Sequence, residues 1–596
     1  MDFDKKTILA FLLIGLILVL AQTPIYQKIF MPEAYRARQL KKQQVATEHV
    51  SIKDSASAKE GRVKQPEPEA KIVKSKPEKQ EEKKLSPEGN LFQDLNNALP
   101  EKKYTIETDL YKAILSTKGA SLIQWFLKKY PGPDGGPVEL LPDNAYGTLG
   151  LNFITDNGDT LSTGDFMFEA DAGTSVRLQS EKSEIYRFTL PLGNNRKIVK
   201  EYQFFRDSYD FSLKVSLENM QDIISQKRYF LVAPAGLKST EKRLRDDMYY
   251  TKAAVLASGE ISKKFKPNGK LHVETGDIDW VAARTKYFAL AMVPQSRKGL
   301  SAQVVGREIA VPYDKKNKLK KYSIGLTMPY LGKALTQDTF MVYFGPLDQG
   351  IVKSYGIGLD KMMDFGFSII QPFSKAILWS FIKLHTFIPN YGLVLILFSI
   401  LIKLLVFPLT HKSFQSMKRM QELQPKLSAL KEKYGKDAQR LNKETMKLYK
   451  EEKVNPMGSC LPTLLQMPLL WGLFIVFRST IELRGQGFIW WIKDLSMPDT
   501  VATLPFTIPF YGNTVNILPI FMGVTMLIQQ KMSITDPKQK AMVYFMPIFL
   551  TLLFNSFPSG LNLYYALFNI LSIVQQKYLV GPPMQPATVA VKKVKK

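Results

Sequence analysis

The stretch YGLVLILFSILIKLLVFPL, residues 391–409, decides the fold, because it is long and apolar enough to cross a bilayer as a helix. One residue breaks its apolar character. Lys403 lies well inside the stretch and has no acidic residue near it in sequence. Since a charged side chain at this depth costs about 3 kcal/mol on insertion scales, we expect Lys403 to face protein or water rather than lipid. Snorkelling of the lysine towards the headgroups is the alternative.

Composition places the whole chain in the membrane class. The 596 residues carry a formal net charge of +27, and 45% are hydrophobic. The apolar residues are gathered in long uncharged runs, which argues against a nucleic-acid binder and against an ordinary soluble enzyme. The single cysteine, Cys460, excludes an intrachain disulfide, so any domain outside the cytoplasm must be held by its own core.

The uncharged runs predict six membrane spans. The first is favoured as an uncleaved anchor over a cleaved signal peptide, because it lacks a clear small-x-small site. The last run, 541–576, would be about 54 Å long as one helix, so it must fold back at the FPSG turn, residues 557–560. The predicted spans are 1–27, 390–409, 460–478, 514–530, 541–557 and 559–578.

Between the first two predicted spans, the amino-acid composition and the pattern of apolar residues change twice. Residues 28–103 are rich in Lys, Glu, Gln, Pro and Ser and predict a disordered tether. Residues 104–347 show period-two alternation, as in Phe211, Leu213 and Val215, and predict an all-β sandwich. Sandwiches often bind or process sugars, so a membrane-tethered glycan-binding protein is an alternative. His272 is the domain's single histidine and no nucleophile or metal-ligand motif is present, so we predict no catalytic residues, no metal and no cofactor.

Two further segments are helical but polar in part. Residues 358–388 have apolar side chains at helical spacing interrupted by lysines, which predicts an amphipathic helix on the membrane, with a core helix as the alternative. Residues 410–455 predict a helical hairpin, with a kink at Pro425. Between His411 and Asn455 the hairpin has twelve Lys or Arg and six Asp or Glu. This excess fits either a solvated face or a docking surface.

Basic residues in the short loops set the orientation. The hairpin, the loop KMSITDPKQK and the tail 579–596 are basic. The loop predicted from Arg484 to Asn513 carries only Arg484 and Lys493 as basic residues, and the FPSG turn has none. We therefore predict that both termini and the hairpin are cytoplasmic and that the β domain lies outside.

Several long strings carry a family resemblance. They are FPLT at 407–410, LQPKLSALKEKYGKD, VNPMGSCLPTLLQMPL, FIWWIKDLS, NILPIFMGVTMLIQQKMS, MPIFLTLLFNSFPSGLNLYY, WVAARTKYFALA and YFGPLD. The chain resembles the YidC/Oxa/Alb family of membrane protein insertases, in the Gram-negative form with a large periplasmic domain. The resemblance implies an inner-membrane protein whose five-helix core encloses a hydrophilic groove, open to cytoplasm and lipid and closed outside. It implies nascent membrane proteins, the ribosome, the Sec translocon and the bilayer as partners, and no small-molecule cofactor.

The same resemblance places a positive residue in the groove, five positions before the proline of FPLT. Most relatives have arginine there, whereas this chain has Lys403, which keeps the charge but loses the planar fork. The predicted groove residues are Lys403, Ser399, Gln466, Gln529, Asn562, Tyr565, Asn569 and Gln576. Polar residues in spans also join helices, so each one singly has that alternative.

The predicted function is membrane protein insertion without covalent chemistry. The groove would lower the cost of moving a polar segment across the bilayer. A ribosome contact is predicted at Lys592, Lys593, Lys595 and Lys596 in the tail. A small-molecule transporter is the remaining alternative, although no repeat relates the two halves of the chain.

Overall fold

The computed structural model describes residues 100–580 apart from short gaps at 156–157, 159, 172–175, 179–181, 312–313, 436, 453, 455–460, 510 and 534–539. The predicted first span, nearly all of the tether and the basic tail, with its four lysines, lie outside the described residues.

The β domain is built from two sheets, as the alternating pattern predicts. One sheet has five strands in the order β4-β3-β2-β1-β8, and the other has fourteen. All pairings are antiparallel except that of β1 with β8. The strands of these two sheets are β1 Lys103–Glu107, β2 Tyr111–Ser116, β3 Ser121–Pro131, β4 Pro137–Glu139, β5 Gly150–Ile154, β6 Thr160–Ser162, β7 Glu169–Ala170, β8 Val176–Arg177, β9 Ser183–Pro191, β10 Lys197–Phe205, β11 Asp210–Glu218, β12 Arg228–Ala233, β13 Lys252–Ala257, β14 Glu260–Ser262, β15 Leu271–Arg284, β16 Phe288–Pro294, β17 Gly299–Val311, β18 Asp314–Pro329 and β19 Leu335–Pro346. Two further strands, β20 Thr500–Ile508 and β21 Gly512–Asn516, lie outside the β domain and pair with each other.

Aromatic side chains fill the space between the two sheets. Trp125 of β3 stacks on Tyr111 of β2 with ring centroids 4.3 Å apart. From the facing sheet, Phe344 and Phe211 approach Trp125 to 5.3 Å and 5.6 Å. Burial of each such side chain contributes about 1.5–3 kcal/mol, so this core can hold the domain without a disulfide. The predicted all-β sandwich is confirmed.

The rest of the described chain is mainly helical. The helices are α1 Leu244–Tyr250, α2 Gln349–Ser354, α3 Gln371–His385, α4 Tyr391–Glu422, α5 Gln424–Tyr434, α6 Ala438–Glu451, α7 Leu461–Ser479, α8 Ile517–Ser533, α9 Lys540–Phe554 and α10 Ser559–Val574. A π-helical turn, Gln575–Val580, extends α10.

Helix α4 is longer than the span predicted within it. It has 32 residues and continues to Glu422 with Pro408 inside, so it is about 48 Å long. The first arm of the predicted hairpin is therefore a continuation of the span helix, and the boundary at residue 409 is not a helix end. Proline is tolerated inside membrane helices, where it leaves one backbone carbonyl, here that of Leu404, without its helical donor.

The predicted helical hairpin is interrupted at Leu423, close to Pro425, where only a kink was expected. Helix α4 ends before Leu423, and α5 begins with Pro425 in its first turn, where the missing N–H costs nothing. Asp437 caps α6 by accepting from the backbone N–H groups of Gln439 and Arg440 at 3.1 Å. Helix α5 buries none of its side chains, so this hairpin is exposed along its length.

Helix α3 is buried on one face and keeps some apolar side chains exposed. Ile377, Leu378 and Phe381 are buried, and the Phe381 ring lies 4.9 Å from Phe398 of α4. Phe373 and Trp379 are exposed. The helix thus packs on the bundle, and its position on the membrane stays a prediction.

Helix length alone identifies one span among the described residues. Only α4 is both long and apolar enough to cross a bilayer, and Ile517–Met532 and Val543–Phe554 are shorter apolar helices. The segment predicted as a plain loop before the fourth span contains a β-hairpin, β20–β21, so α8 begins at Ile517 rather than at residue 514.

Candidate functional site

Lys403 is buried between α4 and α10, with 6% of its surface exposed. Its Nζ donates a hydrogen bond of 2.7 Å to Ser572 Oγ. The same ammonium lies 4.5 Å from the centroid of the Phe568 ring and 5.9 Å from that of Phe414. No carboxylate lies within 4 Å of Lys403 in the part of the chain that the structure describes. The site therefore holds a cation without a counter-charge.

Helical spacing explains why α10 presents these partners to Lys403. Phe568 and Ser572 are four residues apart and so lie on one face of the helix. Ser572 donates its own hydrogen to the carbonyl of Phe568 at 2.7 Å, which leaves the lone pairs of its oxygen for the lysine. The serine therefore acts as an acceptor for the ammonium.

The contacts around Lys403 are of the same order as its burial cost. Removing an ion from water costs several kcal/mol even after the protein relaxes. A hydrogen bond to a charged group contributes about 1.5–3 kcal/mol, and each cation–π contact about 0.5–2 kcal/mol. The hydroxyl and the two rings therefore offset much of the cost of burying the ammonium.

A second polar contact lies two turns further along α4. Thr410 is seven residues after Lys403 and therefore on the same face. Its hydroxyl and the side-chain amide of Gln575 exchange hydrogen bonds of 3.1 and 3.2 Å. Sequence reasoning missed Thr410 and Gln575, although their seven-residue and three-residue offsets from Lys403 and Ser572 could have identified them.

Two of the predicted groove residues tie α10 and its extension to α8. Asn569, one turn before Ser572, is buried and donates to Thr525 Oγ1 at 3.2 Å. Gln576 donates to the carbonyl of Met532 at 2.9 Å. We call Lys403, Thr410, Asn569, Ser572 and Gln575 the Lys403 cluster.

The other predicted residues lie elsewhere on the helices. Ser399 bonds within its own helix, to the carbonyl of Leu395 at 2.7 Å. Asn562 donates to the carbonyl of Phe554, and the ring of Tyr565 lies 5.3 Å from that of Phe554, so both are near the α9–α10 turn. Asn562 is about 15 Å along α10 from Ser572. Gln466 and Gln529 are half-buried on α7 and α8.

The β domain contacts the bundle at the end opposite to Ser572. Arg484 donates to Glu241 at 2.9 Å, and Arg478, at the end of α7, donates to Asp246 at 3.2 Å. Arg243 donates to the carbonyl of Ser556 in the α9–α10 turn at 3.2 Å.

Neighbouring positive charges keep Asp246 ionised in this contact. Burial would raise the pKa of Asp246, but Arg243, Lys286 and Arg478 outweigh it and hold that pKa below its ordinary value. Asp246 is thus an anion shared between the two parts of the chain. Among the described residues, no group of three His, Cys, Asp or Glu side chains could hold a metal ion.

Two family models match the chain and together cover the described helices and strands. The family described as "60Kd inner membrane protein" matches residues 383–584. The family described as "YidC periplasmic domain" matches residues 103–380. The boundary between the matches falls within α3.

Curated relatives match over most of their length. A protein of Chlorobium phaeovibrioides is 38% identical over 489 residues, which cover 80% of this chain and 83% of that protein. A protein of Chloroherpeton thalassium is 36% identical, again over 80% and 83%. Both are named membrane protein insertase YidC.

Solved structures are more distant. A crystal structure of an active YidC insertase is 17% identical, covers 82% of this chain and 97% of that one, and has a TM-score of 0.36. A galactose mutarotase related enzyme from Lactobacillus acidophilus is 12% identical, covers 41% of this chain and 97% of that one, and has a TM-score of 0.25. Likenesses at this level say nothing about the site of this chain.

Proposed function

Because the chain belongs to the YidC family of membrane protein insertases, we propose that it moves polar segments of its substrates across the bilayer through a hydrated groove around Lys403. Members of this family act on membrane proteins in the lipid bilayer of the inner membrane, and they carry a periplasmic domain. They are insertases rather than catalytic enzymes. The groove is the part of the mechanism that this chain's own residues must provide.

The observation that supports the groove is the burial of Lys403 without a carboxylate partner. An acidic segment of a substrate would supply the missing counter-charge. Two unit charges about 4 Å apart attract by about 4 kcal/mol at an effective dielectric of 20 and by about 1 kcal/mol in water. Attraction in a hydrated groove lies towards the lower figure, so the cation would lower a barrier without trapping the substrate.

The polar residues of the Lys403 cluster indicate in which direction the proposed groove extends along the bundle. Thr410 and Gln575 lie further from the β-domain contact than Lys403 and Ser572, so hydroxyl and amide groups continue from the lysine towards the opposite end of the bundle. Leu401, Leu404 and Leu405 are exposed on α4 and would face lipid. A substrate helix could therefore leave sideways, stabilised by about 25 cal/mol per Å² of apolar surface.

The membrane potential would assist translocation of acidic segments. Each elementary charge that crosses gains or loses about 2.3 kcal/mol per 100 mV. No residue of the chain needs to act as an acid, a base or a nucleophile in this mechanism.

We propose the predicted topology with six spans and both termini in the cytoplasm. The β domain is the periplasmic domain, and its contacts with Arg478, Arg484 and Ser556 support a periplasmic position for those helix ends. The cluster residues Thr410 and Gln575 then lie towards the cytoplasm. The span 1–27, the tether 28–103 and the tail 579–596 complete this topology.

The proposed partners are a ribosome at the cytoplasmic face and the Sec translocon beside the bundle. The exposed hairpin α5–α6, whose cleft is lined by Lys426, Lys433 and Lys447, supports the first. The Sec translocon rests on the family resemblance alone.

Substitution of Lys403 tests the groove. We expect Lys403→Arg to insert substrates normally, Lys403→Ala to insert substrates with acidic translocated tails several-fold more slowly, and Lys403→Glu to be slowest, because the charge attracts the acid. Substrates with neutral tails should be nearly unaffected. Insertion of matched acidic-tailed and neutral-tailed substrates into proteoliposomes measures both rates.

Ser572→Ala is the matched control, because it removes the hydrogen bond to Lys403 and keeps the charge. If Lys403 only joins α4 to α10, then Ser572→Ala and Lys403→Ala should lower thermal stability alike. Both should then slow acidic-tailed and neutral-tailed substrates equally, and that result would end the electrostatic proposal.

A further inference from the structure

We propose that the hairpin β20–β21, Thr500–Asn516, lies in the headgroup region of the outer leaflet and binds lipid. The hairpin forms a separate two-stranded sheet among the described residues. Nothing in the insertion mechanism uses it.

The hairpin has no charged residue. Asp499 is the last charge before it, and Lys531 is the next one along the chain. Val501 and Phe506 are 47% and 60% exposed. Hairpins that stand in water commonly carry charged side chains, which prevent association through their edges. An uncharged hairpin with exposed apolar side chains fits a lipid surface better than water.

The base of the hairpin is fixed at the ends of two apolar helices. Asp499 Oδ2 accepts from the indole N–H of Trp491 at 3.0 Å and from the backbone N–H of Leu518, in the first turn of α8, at 2.8 Å. Asn555, just after α9, donates to the carbonyls of Tyr511 and Thr514 at 2.9 and 2.7 Å. The next residue, Ser556, contacts the β domain. The hairpin is therefore held on the periplasmic side, where these helices leave the bilayer.

The neighbouring loop continues the same surface. Trp490 is 82% exposed, and Ile489 beside it is also exposed. Tryptophan is enriched where helices meet the headgroups, since its ring is apolar and its N–H is polar. Hairpin and loop together form one uncovered aromatic and aliphatic surface next to α8 and α9.

The backbone limits how deep the hairpin can lie. Among the described residues, strand β20 pairs only with β21, so its other edge keeps unpaired backbone groups. Such groups are costly in hydrocarbon, which excludes the bilayer core. Pro505 removes one N–H group from this strand, and Pro509 lacks one just after it. The balance places the hairpin at the boundary between headgroups and acyl chains.

Depth-dependent quenching tests this placement. In the full chain with Cys460→Ser, the Phe506→Cys variant is labelled with an environment-sensitive fluorophore and placed in phosphatidylglycerol and phosphatidylethanolamine vesicles. We expect strong quenching by nitroxide lipids whose label is near the headgroup, weaker quenching by labels at the acyl end, and several-fold less quenching by aqueous iodide than for a control label. The control is Asp222→Cys, on the exposed surface of the β domain.

A second label is placed at Thr503, which is also exposed, to check that the quenching does not result from a distortion specific to position 506. If both hairpin labels are quenched by iodide as strongly as the label at position 222, the proposal is wrong. It is also wrong if labels at position 506 are shielded only when two copies of the chain associate, which energy transfer between labels would show.

Discussion

Two buried lysines show what separates a structural cation from a candidate functional one. Lys200 in the β domain is fully buried, and its Nζ donates to the carbonyls of Gly119 and Ala120 at 3.1 and 2.7 Å. Burial lowers the pKa of Lys200 to about 7, so it can be neutral when folded. Each lysine lies near two aromatic rings, but Lys403 donates to a hydroxyl rather than to backbone carbonyls, and it lies between two helices that the proposed topology places in the bilayer. Burial alone therefore does not mark a site, and the surroundings of the amine do.

A second prediction for a single residue concerns Glu482. It follows α7, and burial, with Asp348 nearby, raises its pKa from 4.5 to about 7. Tyr130 and Tyr391 are the other titratable groups that sense its charge. Its Oε1 accepts from the backbone N–H of Gln349 at 3.3 Å, and Oε2 has no hydrogen-bond partner among the described residues.

The sign of the pH effect follows from this raised pKa. Between about pH 4.5 and 7 the folded chain keeps a proton that the unfolded chain has released, so the free energy of unfolding falls as pH rises. The decrease from this one group should be on the order of 2 kcal/mol. We expect Glu482→Gln to remove it, as measured by thermal unfolding in detergent from pH 5 to pH 8.

Asp348→Asn is the control for this experiment. It removes the neighbouring charge that raises the pKa of Glu482, so it should make the pH dependence smaller without abolishing it. Equal slopes of stability against pH in the parent and in Glu482→Gln would contradict the assignment.

At the scale of elements, the continuity of α4 connects Lys403 to the basic hairpin α5–α6. The same helix carries Lys403 and, beyond Pro408, the first part of the basic segment. Lys426 of α5 pairs with Glu452, just after α6, at the base of the hairpin. The proposed groove and the proposed ribosome contact would therefore lie on consecutive parts of the chain.

Ribosome binding is the prediction for these elements. If the hairpin and tail neutralise phosphates, changing Lys592, Lys593, Lys595 and Lys596 to Gln should weaken co-sedimentation with ribosomes several-fold and make it less sensitive to salt. Changing Lys433 and Lys447 to Gln should add to the loss, because both line the cleft between α5 and α6.

The control matched to the hairpin pair changes two lysines of the β domain, Lys318 and Lys320, to Gln, which removes the same two charges at a distance from the proposed contact. Co-sedimentation that stays the same for the tail and hairpin variants would leave this basic surface as a solvated face.

For the whole molecule, the question is whether the β domain takes part in insertion. Its described links to the bundle include the ion pairs of Arg478 and Arg484 and the bond from Arg243 to the carbonyl of Ser556, which lie far from the Lys403 cluster. Removing the domain leaves the two bundle arginines free to be hydrated. We expect a chain that joins the first span to the region near Gly358 to insert substrates at close to the normal rate, measured in depleted cells with protein level matched.

Glu241→Ala in the full chain tests the contact between the β domain and the bundle while the domain itself is still present. It removes the acid that pairs with Arg484 while the domain remains, and it should lower thermal stability more than it lowers insertion. Complete loss of insertion in the deletion variant at normal protein level would show that the β domain is needed for activity.

The sequence by itself determined the class of the protein, the β sandwich and the cation in a span. Apolar runs, period-two alternation as in β11 and the isolated charge of Lys403 are properties of consecutive residues. These features can be predicted from the sequence because the burial of a segment depends on its own composition and on the spacing of its apolar residues. Strings such as FPLT and FPSG likewise indicated the family from consecutive residues.

Only the tertiary structure decided which side chains meet. It paired Lys403 with Ser572 and Phe568, joined Thr410 to Gln575, placed Asn562 and Tyr565 near the α9–α10 turn, and formed a β-hairpin from a segment predicted as a loop. It also carried α4 through Pro408 to Glu422. The contacts between helices depend on the rotation and stagger of segments distant in sequence, and long-range packing sets both. Sequence offsets can therefore indicate candidate residues on one helix, but not which residues of another helix they contact.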